Sequence, residues 1–221
     1  AAAAAHETGA LFHCDAVQAA GKLPLDARQL GADYMTLSAH KLGGPQGVGA
    51  LVVRQGAPMV PLVRGGGQEF GRRAGTENVA GIAAFGAAAE AALRDLSDMT
   101  EWRTMRDGCE RKLEAACRGA VVFGRDADRL PNTICIAVPG VPSENMVIAL
   151  DLDGFAVSAG AACSSGKVTQ SHVLTAMGAD PRVAGAAIRI SFGWDTTKQN
   201  LDEFADAWSR IVKRAQARAA A

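Results

Sequence analysis

One lysine in the sequence has neighbours that suit amine chemistry. Lys41 lies in TLSAHKLGGPQG, residues 36–47, between a Ser-Ala-His run and a loop with three glycines. A lysine in a partly buried crevice loses some stability of its ammonium form, and its amine can then form a Schiff base with an aldehyde. Pyridoxal 5'-phosphate is such an aldehyde. Most lysines are solvated surface charges, so Lys41 alone favours a surface role, and its neighbours decide between the two interpretations.

The residues around Lys41 supply the other groups that this cofactor needs. A carboxylate must face its ring nitrogen, and donors must hold its phosphate. Asp15, near the end of the preceding apolar run, offers the carboxylate. Ser38, His40 and a helix amino terminus at Thr76 offer phosphate donors, because exposed N–H groups and the positive end of a helix dipole favour an anion. Each signal is weak alone, and the combination indicates a pyridoxal phosphate site.

Two apolar runs position Asp15 and Lys41. Residues 10–17 contain Asp15 and residues 33–39 end just before Lys41, and both runs are typical of short strands. Residues 25–30 between them can make only a short helix, so a strand, crossover, strand unit is the simplest expectation. Ligands gather beyond the carboxyl ends of parallel strands, so the two side chains are expected to face one crevice.

The rest of the chain predicts a third strand, then helices, then a second domain. Residues 47–54 form the strand, a glycine-rich loop follows, and residues 77–96 form a helix that Thr76 caps. A second helix, roughly 98–118, begins the second domain. Beyond it an α+β pattern follows, with strands at 120–124, 133–138, 155–158 and 188–192 and helices at 143–151, 170–177 and 198–214.

Composition excludes several classes of function. The 221 residues are 48% hydrophobic, and 23 basic residues balance 23 acidic ones, so nucleic acid and anionic membranes are not expected partners. We expect a cytoplasmic protein, since no apolar stretch reaches the length of a membrane span. The cysteines form no CxxC pair, which argues against a disulfide framework and against a metal site. They are Cys14, Cys109, Cys117, Cys135 and Cys163.

Five motifs give the sequence a family resemblance. They are HCDAVQAAGKLPLD, LSAHKLGGPQGVGAL, GGGQEFGRRAGTENVAGI, SAGAACSSGK and IRISFGWDTT. In this order and at these separations, they resemble the cysteine desulfurases of the class V aminotransferase-like family, and most of all the branch that serves iron-sulfur cluster assembly.

The resemblance implies an α/β fold. Residues 1–96 would be the carboxyl-terminal part of the large domain of a type I pyridoxal phosphate enzyme. Residues 97–221 would be a smaller α+β domain with the catalytic cysteine loop. In the family an amino-terminal half precedes this segment, and the alanine-rich start followed by Gly9 reads as the end of a helix already under way. We therefore expect a natural amino-terminal portion upstream.

The resemblance also implies the cofactor contacts. Lys41 would carry the cofactor as a Schiff base and Asp15 would pair with its ring nitrogen. Gln18 would contact its ring hydroxyl. The phosphate would be held by Ser38, by His40 and, from the partner subunit of a homodimer, by Thr76.

The expected reaction converts L-cysteine to L-alanine. Lys41, His40 and Cys163 are the expected catalytic residues, and Arg189 would bind the substrate carboxylate. The Cys163 thiolate would take the substrate sulfur as a persulfide and pass it to an acceptor protein such as an iron-sulfur scaffold. Two alternatives stay open: a selenocysteine lyase or aminotransferase of the same fold, and a catalytically silent fragment that serves as a binding module.

Overall fold

The structure, a computed structural model, describes residues 1–159 and 171–219. The chain forms two compact units, Ala1–Met99 and Thr100–Ala221. The sequence placed the corresponding boundary between residues 96 and 97.

The first unit is built on a three-stranded sheet. Its strands are β1 (His13–Asp15), β2 (Tyr34–Ser38) and β3 (Gly49–Val53), in the spatial order β1-β2-β3. β1 and β2 are parallel, with Asp15 opposite Thr36, and β3 is antiparallel to β2. The predicted parallel pair is therefore present.

The crossover between β1 and β2 consists of turns, so the short helix expected at residues 25–30 is wrong. The Asp26 carboxylate accepts hydrogen bonds from the backbone N–H groups of Arg28 (2.8 Å) and Gln29 (3.2 Å). Such local bonds offer the backbone an alternative to helical hydrogen bonding.

Two helices flank this sheet in the chain. α1 (Ala2–Glu7) confirms the helix expected at the alanine-rich start. α2 (Val79–Arg94) begins two residues later than predicted, and its amino-terminal cap is Asn78 rather than Thr76. The Asn78 carboxamide oxygen accepts from the backbone N–H of Gly81 at 3.1 Å, which satisfies one of the unpaired donors of the first turn.

The buried carboxylate of Asp33 ties the three strands together at one end of the sheet. It accepts hydrogen bonds from the Phe12 backbone N–H (2.7 Å), His6 Nε2 (2.9 Å) and Arg54 Nε (2.7 Å). Phe12 precedes β1, Asp33 precedes β2 and Arg54 follows β3. The Phe12 N–H, followed by His6 and Arg54, lowers the pKa of Asp33 well below its usual range.

We expect Asp33→Asn to lower the melting temperature at pH 7, because the amide cannot replace a carboxylate that accepts from three groups. A depressed folded-state pKa contributes stability that is present above the unfolded pKa, about 4, and lost as pH falls below it. The melting-temperature difference between wild type and variant should therefore shrink on acidification, as measured by calorimetry of the full-length protein. Asp128→Asn, at an exposed position, is the matched control. A difference that does not change with pH would contradict this account.

The second unit places helices around a four-stranded antiparallel sheet. The strands, in the spatial order β4-β5-β7-β6, are β4 (Val121–Val122), β5 (Thr133–Ala137), β6 (Ser158–Ala159) and β7 (Ala187–Ser191). The helices are α3 (Met99–Ala116), α4 (Ser143–Leu152), α5 (His172–Ala176), α6 (Pro181–Ala184) and α7 (Lys198–Ala219). α6 was not predicted. It begins with a proline, and the Asp180 carboxylate caps it by accepting from the Arg182 N–H.

The core of the second unit follows the helical stripes of the sequence. Cys109 and Leu113 of α3 and Trp208 and Val212 of α7 are buried against β5 and β7. Cys109 lies on the apolar stripe of the second predicted helix, which predicts a core role for it, and its burial confirms that prediction. No helix in the described part of the chain is both long and apolar enough to cross a membrane.

Candidate functional site

Lys41 lies at the carboxyl end of the parallel strand pair. It is the last residue of a single 3₁₀ turn, Ala39–Lys41, directly after β2, and the first residue of this turn, Ala39, is fully buried. Because β1 and β2 are parallel and neighbouring, Asp15 at the end of β1 lies at the same edge of the sheet as this turn. The Lys41 side chain is exposed at this edge, as an amine that must meet a ligand requires.

Asp15 is held in place while one side of its carboxylate stays available. Its Oδ1 accepts a hydrogen bond from the Val17 backbone N–H at 3.0 Å. The next residue, Ala16, is buried and its N–H bonds to the Thr36 carbonyl of β2 at 3.1 Å. The backbone is thus fixed on both sides of an exposed carboxylate, and Gln18 follows in the same turn, also exposed.

Ser38 and His40 form a polar pair immediately before Lys41. The Ser38 hydroxyl and His40 Nδ1 are 2.8 Å apart. This contact fixes the imidazole ring and leaves its Nε2 on the far side, where it can meet a ligand. A hydroxyl and an imidazole side by side suit a phosphate, which accepts hydrogen bonds on several oxygens.

Two glycines are required where the chain returns from Lys41 to β3. A Cβ atom at Gly44 would lie 2.9 Å from the Ala39 Cβ, and one at Gly49 would lie 2.7 Å from the Leu37 carbonyl oxygen. Any larger residue would push the chain away from the Ala39–Lys41 turn. The glycines therefore serve close packing that fixes the backbone beneath Lys41.

Thr76 lies exposed in the loop that precedes α2. This loop contains a feature that the sequence did not indicate: Glu69 and Phe70 adopt left-handed backbone angles, with φ of 49° and 56°. Non-glycine residues rarely do so. Arg72 and Arg73 are also exposed here. The role of Thr76 toward a partner subunit's phosphate remains a prediction.

In the second unit, Arg189 lies on β7 between two neighbouring strands. It is opposite Cys135 of β5 and Ser158 of β6, and its Nη2 is 3.4 Å from the Ser158 hydroxyl. The side chain is half-buried, so part of the guanidinium is accessible to a ligand. The predicted sulfur-accepting residue, Cys163, lies outside the described residues.

Lys22 is a neighbour of the site that the sequence reasoning missed. Its ammonium donates to the backbone carbonyl oxygen of Gln18 at 3.0 Å and lies 3.5 Å from the side-chain Oε1 of Gln18. The pKa of Lys22 is lowered, first by burial and then by repulsion from the Lys41 charge. A spacing of four residues from Gln18 was the only available signal, and it is a weak one outside a helix.

The donor set of the first unit fits pyridoxal 5'-phosphate. The amine of Lys41, the carboxylate of Asp15 and the hydroxyl–imidazole pair of Ser38 and His40 share one edge of the sheet, and the exposed carboxamide of Gln18 lies in the adjoining turn. These are the groups that an aldehyde with a basic ring nitrogen and a phosphate requires. The described residues contain no cluster of three or more metal-ligating side chains.

Solved structures define the class of fold. The chain is 33% identical to a NifS-like protein from Rickettsia africae, with a TM-score of 0.86, and the match covers 96% of this chain and 56% of that one. It is 30% identical, with a TM-score of 0.67, to a protein described as SspA in complex with cysteine, over 86% of this chain and 52% of that one. The fold is that of the type I pyridoxal phosphate enzymes, as predicted.

The family follows from the sequence comparison. Residues 1–204 match the family described as aminotransferase class V, and the chain belongs to this family, whose members depend on pyridoxal phosphate. A cysteine desulfurase of Gluconacetobacter diazotrophicus is 45% identical over 214 residues, which are 96% of this chain and 54% of that protein. The chain thus spans about half the length of the curated relatives it matches.

Proposed function

We propose that the full-length protein is a pyridoxal phosphate-dependent cysteine desulfurase that converts L-cysteine to L-alanine. One observation carries this proposal: Lys41 sits with Asp15, Ser38 and His40 at one edge of the sheet, in a chain that is 45% identical to a cysteine desulfurase over nearly its whole length. The sulfur would pass to an acceptor such as an iron-sulfur scaffold protein.

Each candidate cofactor-binding residue of the first unit has a role that follows from its chemistry. Pyridoxal phosphate, when bound, supplies a ring that takes up the electrons of the substrate Cα–H bond. Lys41 would hold the cofactor covalently and then move the Cα proton with its amine. Asp15 would keep a proton on the ring nitrogen, because its carboxylate favours a positive charge nearby.

The phosphate would be held by Ser38 and His40. A second subunit would contribute Thr76, so that a homodimer would complete the site. The exposed position of Thr76, in a loop rather than inside its own unit's core, supports a role toward another chain.

The surroundings of two other thiols, Cys109 and Cys135, argue against them as the sulfur acceptor and so support Cys163. Burial, reinforced by the neighbouring Glu110 charge, raises the pKa of Cys109 to about 12. Burial likewise raises the pKa of Cys135. A thiolate is the form that attacks sulfur, so these two cysteines are poor candidates at neutral pH. In the proposed step the Cys163 thiolate attacks the substrate sulfur, the carbon–sulfur bond breaks, and the electron pair of that bond stays with the alanine product.

A substrate panel tests this proposal. The full-length protein with added cofactor is supplied in turn with L-cysteine, with L-selenocysteine, and with L-aspartate plus 2-oxoglutarate. We expect alanine from L-cysteine and no amino transfer to 2-oxoglutarate. Transfer of the amino group, or action on L-selenocysteine alone, would overturn the proposal.

Arg189→Ala should weaken cysteine binding more than cofactor binding, since the guanidinium is expected to pair with the substrate carboxylate. A charge-assisted hydrogen bond is worth about 1.5–3 kcal/mol, so KM should rise by roughly an order of magnitude or more while the cofactor Kd changes little. Arg182→Ala, at an exposed position in α6, is the matched control. An unchanged KM would remove Arg189 from the substrate site.

A further inference from the structure

Lys22 contacts both the backbone and the side chain of Gln18. The Lys22 ammonium donates to the Gln18 backbone carbonyl oxygen at 3.0 Å, and this bond holds it 3.5 Å from the side-chain Oε1 of Gln18. An ammonium carries donors only, so the carboxamide must turn its oxygen, and not its NH₂ group, toward Lys22. The NH₂ group of Gln18 is then directed away from Lys22 and remains free to donate to an acceptor.

The backbone places this pair next to the Lys41 turn. A Cβ atom at Gly21 would lie 3.4 Å from the Leu42 Cβ, and Gly21 has a φ of +72°, which suits glycine. The segment that carries Lys22 is therefore packed against the residue that follows Lys41. Lys22 is half-buried, whereas Gln18 is exposed and so accessible to a ligand.

Lys22 lies close enough to Lys41 to experience its charge. The Lys41 ammonium disfavours a second positive charge nearby, and burial disfavours it further. Its hydrogen bonds to Gln18 offset part of this cost. Lys22 is thus a half-buried cation that feels the charge of Lys41 and bonds to Gln18. This arrangement indicates a role beyond keeping the surface soluble.

We propose that Lys22 is a positioning residue that presents the Gln18 amide as a hydrogen-bond donor to the ring oxygen of the cofactor. This inference rests on the proposed function, because it takes pyridoxal phosphate as the ligand of this edge of the sheet. The ring oxygen next to the aldehyde is acidic and accepts hydrogen bonds when ionised. A carboxamide whose own oxygen is bonded to Lys22 offers the ring oxygen of the cofactor a donor and no competing acceptor.

The test compares two ligands that differ by this one oxygen. Binding of pyridoxal 5'-phosphate and of 3-deoxypyridoxal 5'-phosphate is measured by titration of the cofactor-free, full-length protein in wild type, Lys22→Met and Lys22→Arg. Lys22→Met should weaken binding of pyridoxal phosphate by roughly 3- to 10-fold, the value of one hydrogen bond, and leave the deoxy ligand within error. Lys22→Arg should restore most of the loss, because arginine also carries donors only.

A second variant separates positioning from a general structural effect. In Gln18→Ala, adding Lys22→Met should cause no further loss, because the group that the lysine orients is already absent. Lys213→Met, at an exposed position in α7, should bind both ligands like wild type. An equal loss with both ligands, or no loss with either, would overturn the role of Lys22 alone. A wild-type protein that binds neither ligand would overturn the proposed function together with this inference.

Discussion

Replacing Lys41 with alanine in the full-length protein is expected to abolish the visible absorbance of the Schiff base between cofactor and protein. The absorbance depends on a covalent link between the cofactor aldehyde and an amine, and Lys41 is the amine at the edge of the sheet where Asp15, Ser38 and His40 are brought together. The measurement is an absorbance spectrum taken after loading with pyridoxal phosphate and removal of the unbound cofactor, followed by borohydride reduction and peptide mapping.

The control for this experiment must include Lys22, since its charge interacts with that of Lys41. A borohydride-reducible adduct that persists in Lys41→Ala would contradict the assignment of Lys41, and the double variant with Lys22→Met would show whether Lys22 carries it. Arg72→Ala, an exposed cation of the loop before α2, should keep the full absorbance. Mapping of the wild-type adduct to another lysine would contradict the assignment of Lys41.

Cys163→Ser is expected to stop alanine production while the cofactor spectrum stays normal. A serine hydroxyl is far less ionised than a thiol and far poorer at attacking sulfur, so the reaction should stop before the carbon–sulfur bond breaks. L-Cysteine should still bind and change the cofactor absorbance. Mass spectrometry should find one added sulfur on the wild-type Cys163 peptide and none on the variant peptide.

Cys109→Ser serves as the thiol control, since burial raises the pKa of that cysteine to about 12. It should retain alanine production if the variant folds, which circular dichroism would establish. Near-normal alanine production by Cys163→Ser would exclude the persulfide route and favour the selenocysteine lyase or aminotransferase alternative.

The sequence predicted those parts of the fold that depend on the pattern of apolar residues over short stretches of the chain. The short apolar run at residues 33–39 predicted β2, and the apolar stripe through Cys109 and Leu113 predicted α3. The parallel β1–β2 pair followed from two apolar runs with a crossover between them. Hydrophobic periodicity does not predict side-chain hydrogen bonds to the local backbone. The Asp26 carboxylate accepts such bonds in a turn where a short helix was expected, and Asn78 rather than Thr76 caps α2.

The contacts that the sequence could not predict join residues far apart in the chain. Asp33 accepts from His6, Phe12 and Arg54, and no local pattern links these four positions. Their meeting depends on strand order and register, which are set by the fold as a whole. Within the site, the Ser38–His40 contact is local, and the spacing of the two residues already placed them together.

Helix α2 shows a different limit of prediction from sequence. Val79, Ile82 and Leu93 recur at helical spacing, yet in the structure Val79 is 71% exposed and Leu93 is 70% exposed. The side that approaches the site carries Ala92, whose Cβ lies 3.0 Å from the position of a Cβ at Gly21. Helical period therefore predicted the helix correctly, whereas the residue that makes this contact is a small one, Ala92.

A single-turnover experiment tests the central claim most directly. The full-length protein, loaded with pyridoxal phosphate and free of any sulfur acceptor, is mixed with one equivalent of L-cysteine, and the amino acid product and the mass of the Cys163 peptide are measured together. We predict one alanine per site and one added sulfur on Cys163, in step with each other. Pyruvate in place of alanine, or alanine without sulfur on the protein, would contradict the account.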